Sequence, residues 1–398
     1  MTPTTPASAT SKTSFPPTWE ASVDLHLNEV ETPAALVDLD RVQANLAKVM
    51  GYLGEHGLSW RPHVKTHKSR AMAHLQVAAG ADGLTVATPR EAEVMAEVSP
   101  NLLLAHPPVH PKARRILGLP AAVRLKVALD SAEALAALSS AAAGTGREVG
   151  VLVEVDAGMG RVGVQTADQA VELARRVEDT PELRFEGILF YPGHIRVPVE
   201  EQPGLLAGVT QRVEETLEAL VRSGHPAGVV SGGSSPTLWQ SHLVPGVTEI
   251  RAGTCIFHDR DMWTLGVCGL DEVAYSILAT VVSTAVPHQA VVDAGSKALA
   301  KEKFRGGGGG YGILLDHPDV VVKSLSEEHG LLDLSGTDWR PRVGDRVRIV
   351  PNHVCVSVNL QDRLLALGPD GILAPIPLEG RGRLPAGSDP DRTPILFP

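Results

Sequence analysis

Between residues 40 and about 255 the chain alternates short apolar segments with longer amphipathic ones at nearly regular spacing. The short segments are apolar on both faces, which is typical of buried parallel strands. Eight of them occur, at about 59–64, 83–87, 102–105, 124–129, 149–155, 184–191, 227–231 and 247–251. Eight strands alternating with helices in about 200 residues predict a (β/α)8 barrel of the TIM type, with a doubly wound open sheet as the alternative.

The amphipathic segments carry signals for helix starts. Asp40 and Gly54 are the predicted cap and end of the first helix. Thr88-Pro-Arg-Glu91 matches a capping box with proline at the first helical position, and Ser131 and Thr166 precede two further helices. These signals support the alternation of strands and helices.

Beyond about residue 270 the pattern changes to short alternating runs separated by Gly, Pro and Asp, which indicates antiparallel strands. We therefore expect the barrel to cover residues 32–268 and a smaller, mainly antiparallel β domain to cover 269–398. The sequence leaves open whether residues 20–31 join that second domain. The glycine run at 306–310 predicts a loop, either an exposed tip or a segment that closes over a site.

The composition narrows the class of protein. The chain has 398 residues, 43% of them apolar, and a formal net charge of −10 at pH 7. An acidic chain without a clustered basic run is not expected to bind nucleic acid, and no apolar stretch is long enough to cross a bilayer. Residues 1–19 are rich in Thr, Ser, Pro and Ala, so we expect a disordered tail and a cytoplasmic protein whose partners are small molecules.

Several predicted strands end in reactive side chains, and the carboxyl ends of barrel strands are where active sites form. Lys65 follows the first strand close to His63, Arg161 follows the fifth, and Tyr191 ends the sixth. A lysine that is held partly unprotonated can form a Schiff base with a carbonyl cofactor, although most lysines in basic stretches are simply solvated. Lys65 is thus a candidate for covalent catalysis.

Small residues follow the seventh and eighth predicted strands, where barrels of this kind commonly bind phosphate through backbone N–H groups. The candidate phosphate-binding residues are Ser231, Gly232, Gly233, Ser234, Gly253 and Thr254. A reactive lysine, a nearby arginine and a phosphate site are the parts that a pyridoxal phosphate enzyme needs.

Six motifs occur in an order that is familiar from one protein family. They are Thr32–Asp40, Pro62–Lys68, Asp156–Gly163, Ser231–Thr237, Asp293–Ala298 and Pro351–Cys355. Together they resemble the D-threonine aldolase and D-serine dehydratase family of alanine-racemase-like pyridoxal phosphate enzymes. The resemblance runs from about residue 30 to 370 and implies a barrel followed by a β domain, commonly as a homodimer.

The resemblance also implies roles for individual residues. Lys65 would be the Schiff-base lysine, and Arg161 would lie against the cofactor ring, where a fixed cation favours the anionic ring oxygen. Tyr191 could exchange a proton near the substrate, or it could be an ordinary core aromatic residue. His194, on the same loop, is a weaker candidate.

His353 and Cys355 form a separate signal. If the segment is extended, residues two apart project to the same side, and a nitrogen and sulfur pair suits zinc better than magnesium or calcium. In the family this position binds the divalent metal that meets the substrate hydroxyl. Aldolase members usually carry an aspartate at the second ligand position and dehydratases a cysteine, so Cys355 favours a dehydratase.

The resemblance therefore implies a lyase that acts on β-hydroxy D-amino acids, most simply a D-serine or D-threonine dehydratase that eliminates water and releases ammonia. A D-threonine aldolase that yields glycine and an aldehyde is the main alternative. An amino-acid racemase would leave the metal without a role. A non-catalytic pyridoxal phosphate-binding protein would have no need of the second domain.

Overall fold

The computed structural model describes residues 26–305, 309–368 and 373–385. This part of the chain forms a barrel of parallel strands and a mixed sheet. The tail expected for residues 1–19 and most of the glycine run at 306–310 lie outside the described residues. Within the described ranges, no helix combines the length and the apolar character that a membrane span requires.

The predicted (β/α)8 barrel is confirmed. A short strand, β1 (Ala34–Asp38), precedes it and belongs to the second sheet. The barrel strands are β2 (Ser59–Trp60), β3 (Leu84–Val86), β4 (Asn101–Leu104), β5 (Arg124–Leu129), β6 (Val149–Val155), β7 (Leu183–Phe190), β8 (Val229–Gly232) and β9 (Glu249–Ile250). From β3 to β9 each strand pairs in parallel with the next, and β9 pairs in parallel with β2. A parallel bridge between His63, just after β2, and Thr85 of β3 completes the ring. The ring is closed, which excludes the doubly wound open sheet.

Helices cover the outside of the barrel. They are α1 (Leu39–Glu55), α2 (Arg70–Ala78), α3 (Pro89–Met95), α4 (Lys112–Leu117), α5 (Ala132–Ala142), α6 (Ala167–Glu178) and α7 (Gln202–Arg222). The short helix α8 (Arg260–Thr264) follows β9 and packs against the second sheet instead. Thr88, Ser131 and Thr166 cap their helices as predicted. The predicted cap at Asp40 was wrong, because β1 runs directly into α1 and Asp38 accepts the N–H of Arg41 at 3.1 Å.

The packing follows from the residue pattern. All seven residues of β6 are buried, as expected for a parallel strand covered on both faces. Helix α6 buries one stripe, formed by Ala170, Leu173, Ala174 and Val177. Because helices and the barrel interior cover both faces of the strands, their carboxyl ends are the natural place for a site.

The second domain is mainly antiparallel, as predicted. Its further strands are β10 (Tyr275–Ser283), β11 (Gln289–Val292), β12 (Gly312–Leu314), β13 (Val322–Leu325), β14 (Gly330–Asp333), β15 (Arg346–Pro351), β16 (Arg363–Leu367) and β17 (Leu373–Pro377), with helices α9 (Ser296–Leu299) and α10 (Val354–Leu360). Strand β1 lies between β10, to which it is antiparallel, and β16, to which it is parallel.

The predicted boundary of the barrel needs one correction. The range 32–268 included β1, which the backbone hydrogen bonds assign to the second sheet. The segment before β1 also joins this domain, because Arg346 donates to the carbonyls of Asn28 at 3.0 Å and Val30 at 2.5 Å. The described part of residues 20–31 therefore belongs with the β domain.

The two domains contact each other near the carboxyl ends of the barrel strands. Helix α10 packs against the 3₁₀ turn Val64–Thr66, which follows β2. After β17 the chain returns to the barrel, where the N–H of Gly380 donates to the carbonyl of Lys68 at 2.8 Å and Glu379 pairs with Arg70 at 3.0 Å. The second domain thus covers the mouth of the barrel beside Lys65.

Candidate active site

A cavity of about 580 Å³ opens at the carboxyl ends of the barrel strands, beneath the second domain. Most of the residues predicted for the site border this cavity. These are Lys65, Arg161, Tyr191, Gly233, Ser234, Gly253, Thr254, His353 and Cys355. Its size is that of a small-molecule site.

Lys65 lies on a rigid turn. The imidazole of His67, two residues later, is fully buried, with Nε2 3.0 Å from Gln76 Oε1 and Nδ1 accepting the N–H of Ser69 at 3.1 Å. Both ring nitrogens are therefore satisfied by a neutral imidazole that carries its proton on Nε2. Burial lowers the pKa of His67 to about 4. The turn is thus anchored by a histidine that remains uncharged at neutral pH.

A buried ion pair follows directly. Lys68 Nζ lies 2.5 Å from Glu91 Oε1, and the backbone of Lys68 is in the left-handed region with φ at 54°. A non-glycine residue is held there at some conformational cost. Lys68 is a structural lysine bonded to α3, whereas Lys65 projects into the cavity.

The ring of Tyr191 lies close to two basic side chains of the site. Its ring centroid is 5.7 Å from Lys65 Nζ and 5.1 Å from Arg161 Cζ. These distances are within the range of cation–π contacts, which hold charged groups over an aromatic face. The three residues predicted for catalysis are therefore brought together on one wall of the cavity. His194 is not on that wall, and its ring instead packs against Gly158.

The loop after β6 positions Arg161. The carboxylate of Asp156 accepts the N–H groups of Gly158 and Gly160 at 3.1 and 3.0 Å. Burial opposes the ionisation of Asp156, but these hydrogen bonds and one from Gln165 outweigh it and lower its pKa. Gly163 has φ at 114°, and a side chain there would clash with the backbone of Asp156. This glycine allows the tight return that presents Arg161.

Charged residues form a bonded layer beneath the cavity. Arg251 donates to Ser231 Oγ and to the carbonyl of Phe190, both at 2.9 Å. Ser231 Oγ in turn donates to Glu249 Oε1 at 2.6 Å, and Arg61 is paired with the same carboxylate at 2.8 Å. Burial lowers the pKa of Arg251 to about 10, against the opposing effect of nearby carboxylates. The layer holds Arg251 as a cation at the cavity floor.

Two residues predicted for the phosphate site, Ser231 and Gly232, lie below the cavity instead. Ser231 is fully buried, and its hydroxyl donates to Glu249 and accepts from Arg251. A side chain at Gly232 would collide with the ring of Phe190. Neither residue borders the cavity, since β8 extends through Gly232 and opens into the loop only afterwards.

The remaining phosphate-site candidates do line the cavity, together with Ser235. The N–H of Thr254 donates to Ser235 Oγ at 3.0 Å, which fixes the two loops to each other. A Cβ atom at Gly253 would lie 2.3 Å from the carbonyl oxygen of His63, so only glycine fits there. These loops offer a backbone surface without large side chains, which suits an anion.

His353 and Cys355 lie at the roof of the cavity, but not on an extended segment. His353 is the N-cap of α10 and Cys355 lies in its first turn, so the predicted extended conformation was wrong. The two side chains still meet, because a side chain at the cap can face one from the first turn. Cys355 Sγ lies 3.3 Å from Thr66 Oγ1 and 3.7 Å from Thr254 Oγ1.

The electrostatics of this pair favour a charged state. Burial alone would lower the pKa of His353, but Cys355, Glu302 and Asp259 more than reverse this and raise it. Burial alone would raise the pKa of Cys355, but His353, Thr66 and Lys65 bring it to about 7. The sulfur thus has the thiolate character that metal binding requires.

Sequence reasoning missed several cavity residues. They are Thr66, His106, Glu154, Arg196, Arg251 and Asp259. Glu154 and Arg251 ended predicted strands, and a charged residue at the end of an apolar strand was the available signal. Asp259 carried a weaker one, because it caps α8 by accepting the N–H of Met262 at 3.0 Å.

Two family models match the chain. The alanine racemase N-terminal domain matches residues 37–261 and the putative serine dehydratase domain matches residues 274–367. These ranges agree with the barrel and the second domain.

Individual proteins match over nearly the whole chain. D-threo-3-hydroxyaspartate dehydratase from a Delftia species is 34% identical over 86% of this chain and 95% of its own length. D-threonine aldolase from an Arthrobacter species is 30% identical over 88% of this chain and 92% of its own length.

Two solved structures resemble this chain in both sequence and fold. The crystal structure of D-threonine aldolase from Filomicrobium marinum is 31% identical, has a TM-score of 0.82, and matches over 91% of this chain and 99% of that chain. A cysteine-to-alanine variant of D-threo-3-hydroxyaspartate dehydratase in the metal-free form is 33% identical, with a TM-score of 0.80 over 91% of this chain and 99% of that chain. The chain therefore belongs to the alanine-racemase-like family that contains the D-threonine aldolases, the hydroxyaspartate dehydratases and aldolases, and the D-serine dehydratases.

Proposed function

We propose that this protein is a pyridoxal phosphate- and metal-dependent lyase that eliminates water from β-hydroxy D-amino acids and releases ammonia. One observation carries the proposal. The amine of Lys65, from the barrel, and the imidazole and thiol of His353 and Cys355, from the second domain, line the same cavity. A covalent site for the cofactor and a site for a Lewis acid are thus within reach of one small substrate.

The residues present fit pyridoxal phosphate. Lys65 would hold it covalently, Arg161 would face its ring, and the loops at Gly233–Ser235 and Gly253–Thr254 would bind its phosphate. The fit is supported by Gly253, a cavity-lining position where a side chain would collide with the carbonyl of His63, and by the arginines that line the cavity. When bound, the cofactor supplies an electron sink for the charge left at the α-carbon.

The residues present also fit a metal ion with open positions. In the described ranges no group of three or more His, Cys, Asp or Glu side chains could enclose an ion, so His353 and Cys355 would supply two ligands and leave room for the substrate. We infer zinc from the nitrogen and sulfur ligands. When bound, the metal polarises the β-hydroxyl as a Lewis acid. The metal-free form of a relative's cysteine variant supports metal use in the family.

The chain's own groups would then move the proton. The neutral amine of Lys65 accepts the proton from the α-carbon, which in the D-enantiomer would face it. The ring of Tyr191, close to both Lys65 and Arg161, would pack beside the lysine amine. The second domain covers the mouth and keeps the reacting atoms dry.

Elimination and carbon–carbon cleavage begin from the same arrangement. Relatives of both kinds match at similar identity, with a dehydratase at 34% and aldolases at 30 and 31%. We choose elimination because the cavity roof offers Cys355. Asp259, a carboxylate that does line the cavity, already accepts the N–H groups of Met262 and Val354. No free carboxylate is therefore seen at the metal pair, among the described residues that line the cavity, to take the hydroxyl proton.

Product identification tests the proposal. D-serine should yield pyruvate and ammonia, D-threonine should yield 2-oxobutyrate and ammonia, and the L-enantiomers should be inert. Glycine and acetaldehyde as the main products from D-threonine would replace elimination by the aldolase reaction. Absence of any turnover of β-hydroxy D-amino acids by the protein loaded with pyridoxal phosphate and zinc would refute both. We further propose a cytoplasmic homodimer, which gel filtration can test for its oligomeric state.

A further inference from the structure

A carboxylate lies behind the imidazole of His353, on the side away from the cavity. Glu302 Oε2 is 3.6 Å from His353 Nδ1, and Glu302 does not line the cavity. Both of these atoms are buried, and within the described ranges neither has a hydrogen-bond partner. A distance of 3.6 Å is too long for a hydrogen bond, but two complementary buried atoms that face each other need only a small shift to form one.

The backbone around Glu302 is held against the segment that carries His353. The side-chain amide of Asn352 donates to the carbonyl of Glu302 at 3.0 Å and to that of Gly310 at 2.9 Å. Asn352 is almost fully buried, and its side-chain oxygen accepts from Arg260 at 3.2 Å. The residue before His353 thus fixes the position of Glu302, and the contact is built into the fold.

The other nearby carboxylate cannot take this role. Asp259 Oδ1 accepts the N–H of Met262 and Oδ2 accepts the N–H of Val354, both at 3.0 Å. Its oxygens therefore cap α8 and the start of α10. Glu302 has its second oxygen on Arg305 and Oε2 facing His353, so it is the carboxylate available to the imidazole.

We propose that Glu302 is a positioning residue that accepts the proton-bearing Nδ1 of His353 and so directs a bare Nε2 at the metal. A neutral imidazole can offer only one nitrogen to a metal, and the hydrogen bond made by the other nitrogen decides which one. This inference rests on the proposed metal site and adds a third residue to it, one that touches neither the metal nor the substrate.

The test compares metal affinity in purified protein loaded with pyridoxal phosphate, measured by competition with a chromophoric chelator for zinc. We expect Glu302→Gln, which keeps an acceptor but loses the charge, to bind zinc roughly tenfold more weakly, and Glu302→Leu to approach a hundredfold. The matched control is Glu328→Gln, which breaks an exposed ion pair with Lys297 and should leave the affinity unchanged. The cofactor's visible absorption should be the same in all variants.

The outcomes separate this inference from the proposed function. If wild-type protein binds zinc and both Glu302 variants bind within twofold of it, the positioning role is overturned while the metal site stands. If wild-type protein binds no divalent metal, the proposed metal site fails and the role of Glu302 fails with it. Should Glu302→Leu not fold, the Glu302→Gln result decides alone.

Discussion

We expect acid to lower the free energy of unfolding through His67, the histidine that anchors the turn of Lys65. The folded protein lowers the pKa of His67 from 6.5 to about 4, because burial opposes its charged form. Below pH 6.5 His67 therefore binds a proton in the unfolded chain but not in the folded one. The free energy of unfolding falls as the pH falls. The loss is complete near pH 4, where the folded protein protonates as well.

The magnitude follows from the shift. Each pKa unit corresponds to about 1.4 kcal/mol, so the full loss is about 3 kcal/mol, and about 2 kcal/mol of it is present at pH 5. A contribution of this size is a large fraction of the stability of an ordinary domain. Because the proton would enter between Gln76 and Ser69, the turn of Lys65 should loosen first, and bound cofactor should be released before the chain unfolds.

The assay is urea unfolding of wild type and His67→Gln at pH 7 and pH 5. Glutamine cannot take up the proton, so the variant should be less stable than wild type at pH 7 but should lose about 2 kcal/mol less on acidification. The matched control, His329→Gln, replaces an exposed histidine in the turn before β14 and should follow wild type. An equal loss for wild type and His67→Gln would refute the reasoning.

Three further outcomes follow from the site. Lys65→Ala should abolish the visible absorption of bound pyridoxal phosphate and all turnover, since no other lysine lines the cavity in the described part of the chain. Unchanged absorption would rule out the covalent role. Cys355→Ala, like exhaustive chelation of wild type, should remove zinc and turnover but leave the visible absorption intact, as elemental analysis and spectroscopy can check. Gly253→Ala should bind the cofactor about 5- to 150-fold more weakly, because the new Cβ collides with His63 and overpacking of this kind costs about 1–3 kcal/mol. Gly51→Ala, where the space is open, is the control and should bind normally.

Sequence reasoning predicted the barrel because a parallel strand buried on both faces leaves a clear apolar run, as β6 does. It could not assign β1, since its partners β10 and β16 lie far along the chain and pairing of that kind leaves no local signal. The helix at Cys355 was missed because Val354, Val356 and Val358 are strand formers, and packing against the turn of Lys65 overrode that preference.

The site residues with reactive side chains could be predicted from the sequence. The residues whose role depends on their packing position could not. Lys65, His353 and Cys355 carry rare functional groups in a recognisable order. Ser231, by contrast, accepts a hydrogen bond from Arg251 beneath the cavity. Whether a residue here lies in that layer or binds phosphate depends on where β8 ends. A boundary of one or two residues is the least certain feature of any sequence pattern.

The placement of β1 at the centre of the second sheet has a consequence for biosynthesis. This strand leaves the ribosome well before either of its partner strands, so Leu36 must wait for Ser276 and Leu365 before its backbone is paired on both sides. An unpaired strand edge of this kind invites association with other nascent chains. The barrel should therefore not survive excision as an independent unit with β1 attached, and a stop codon placed after residue 268 should yield aggregated material.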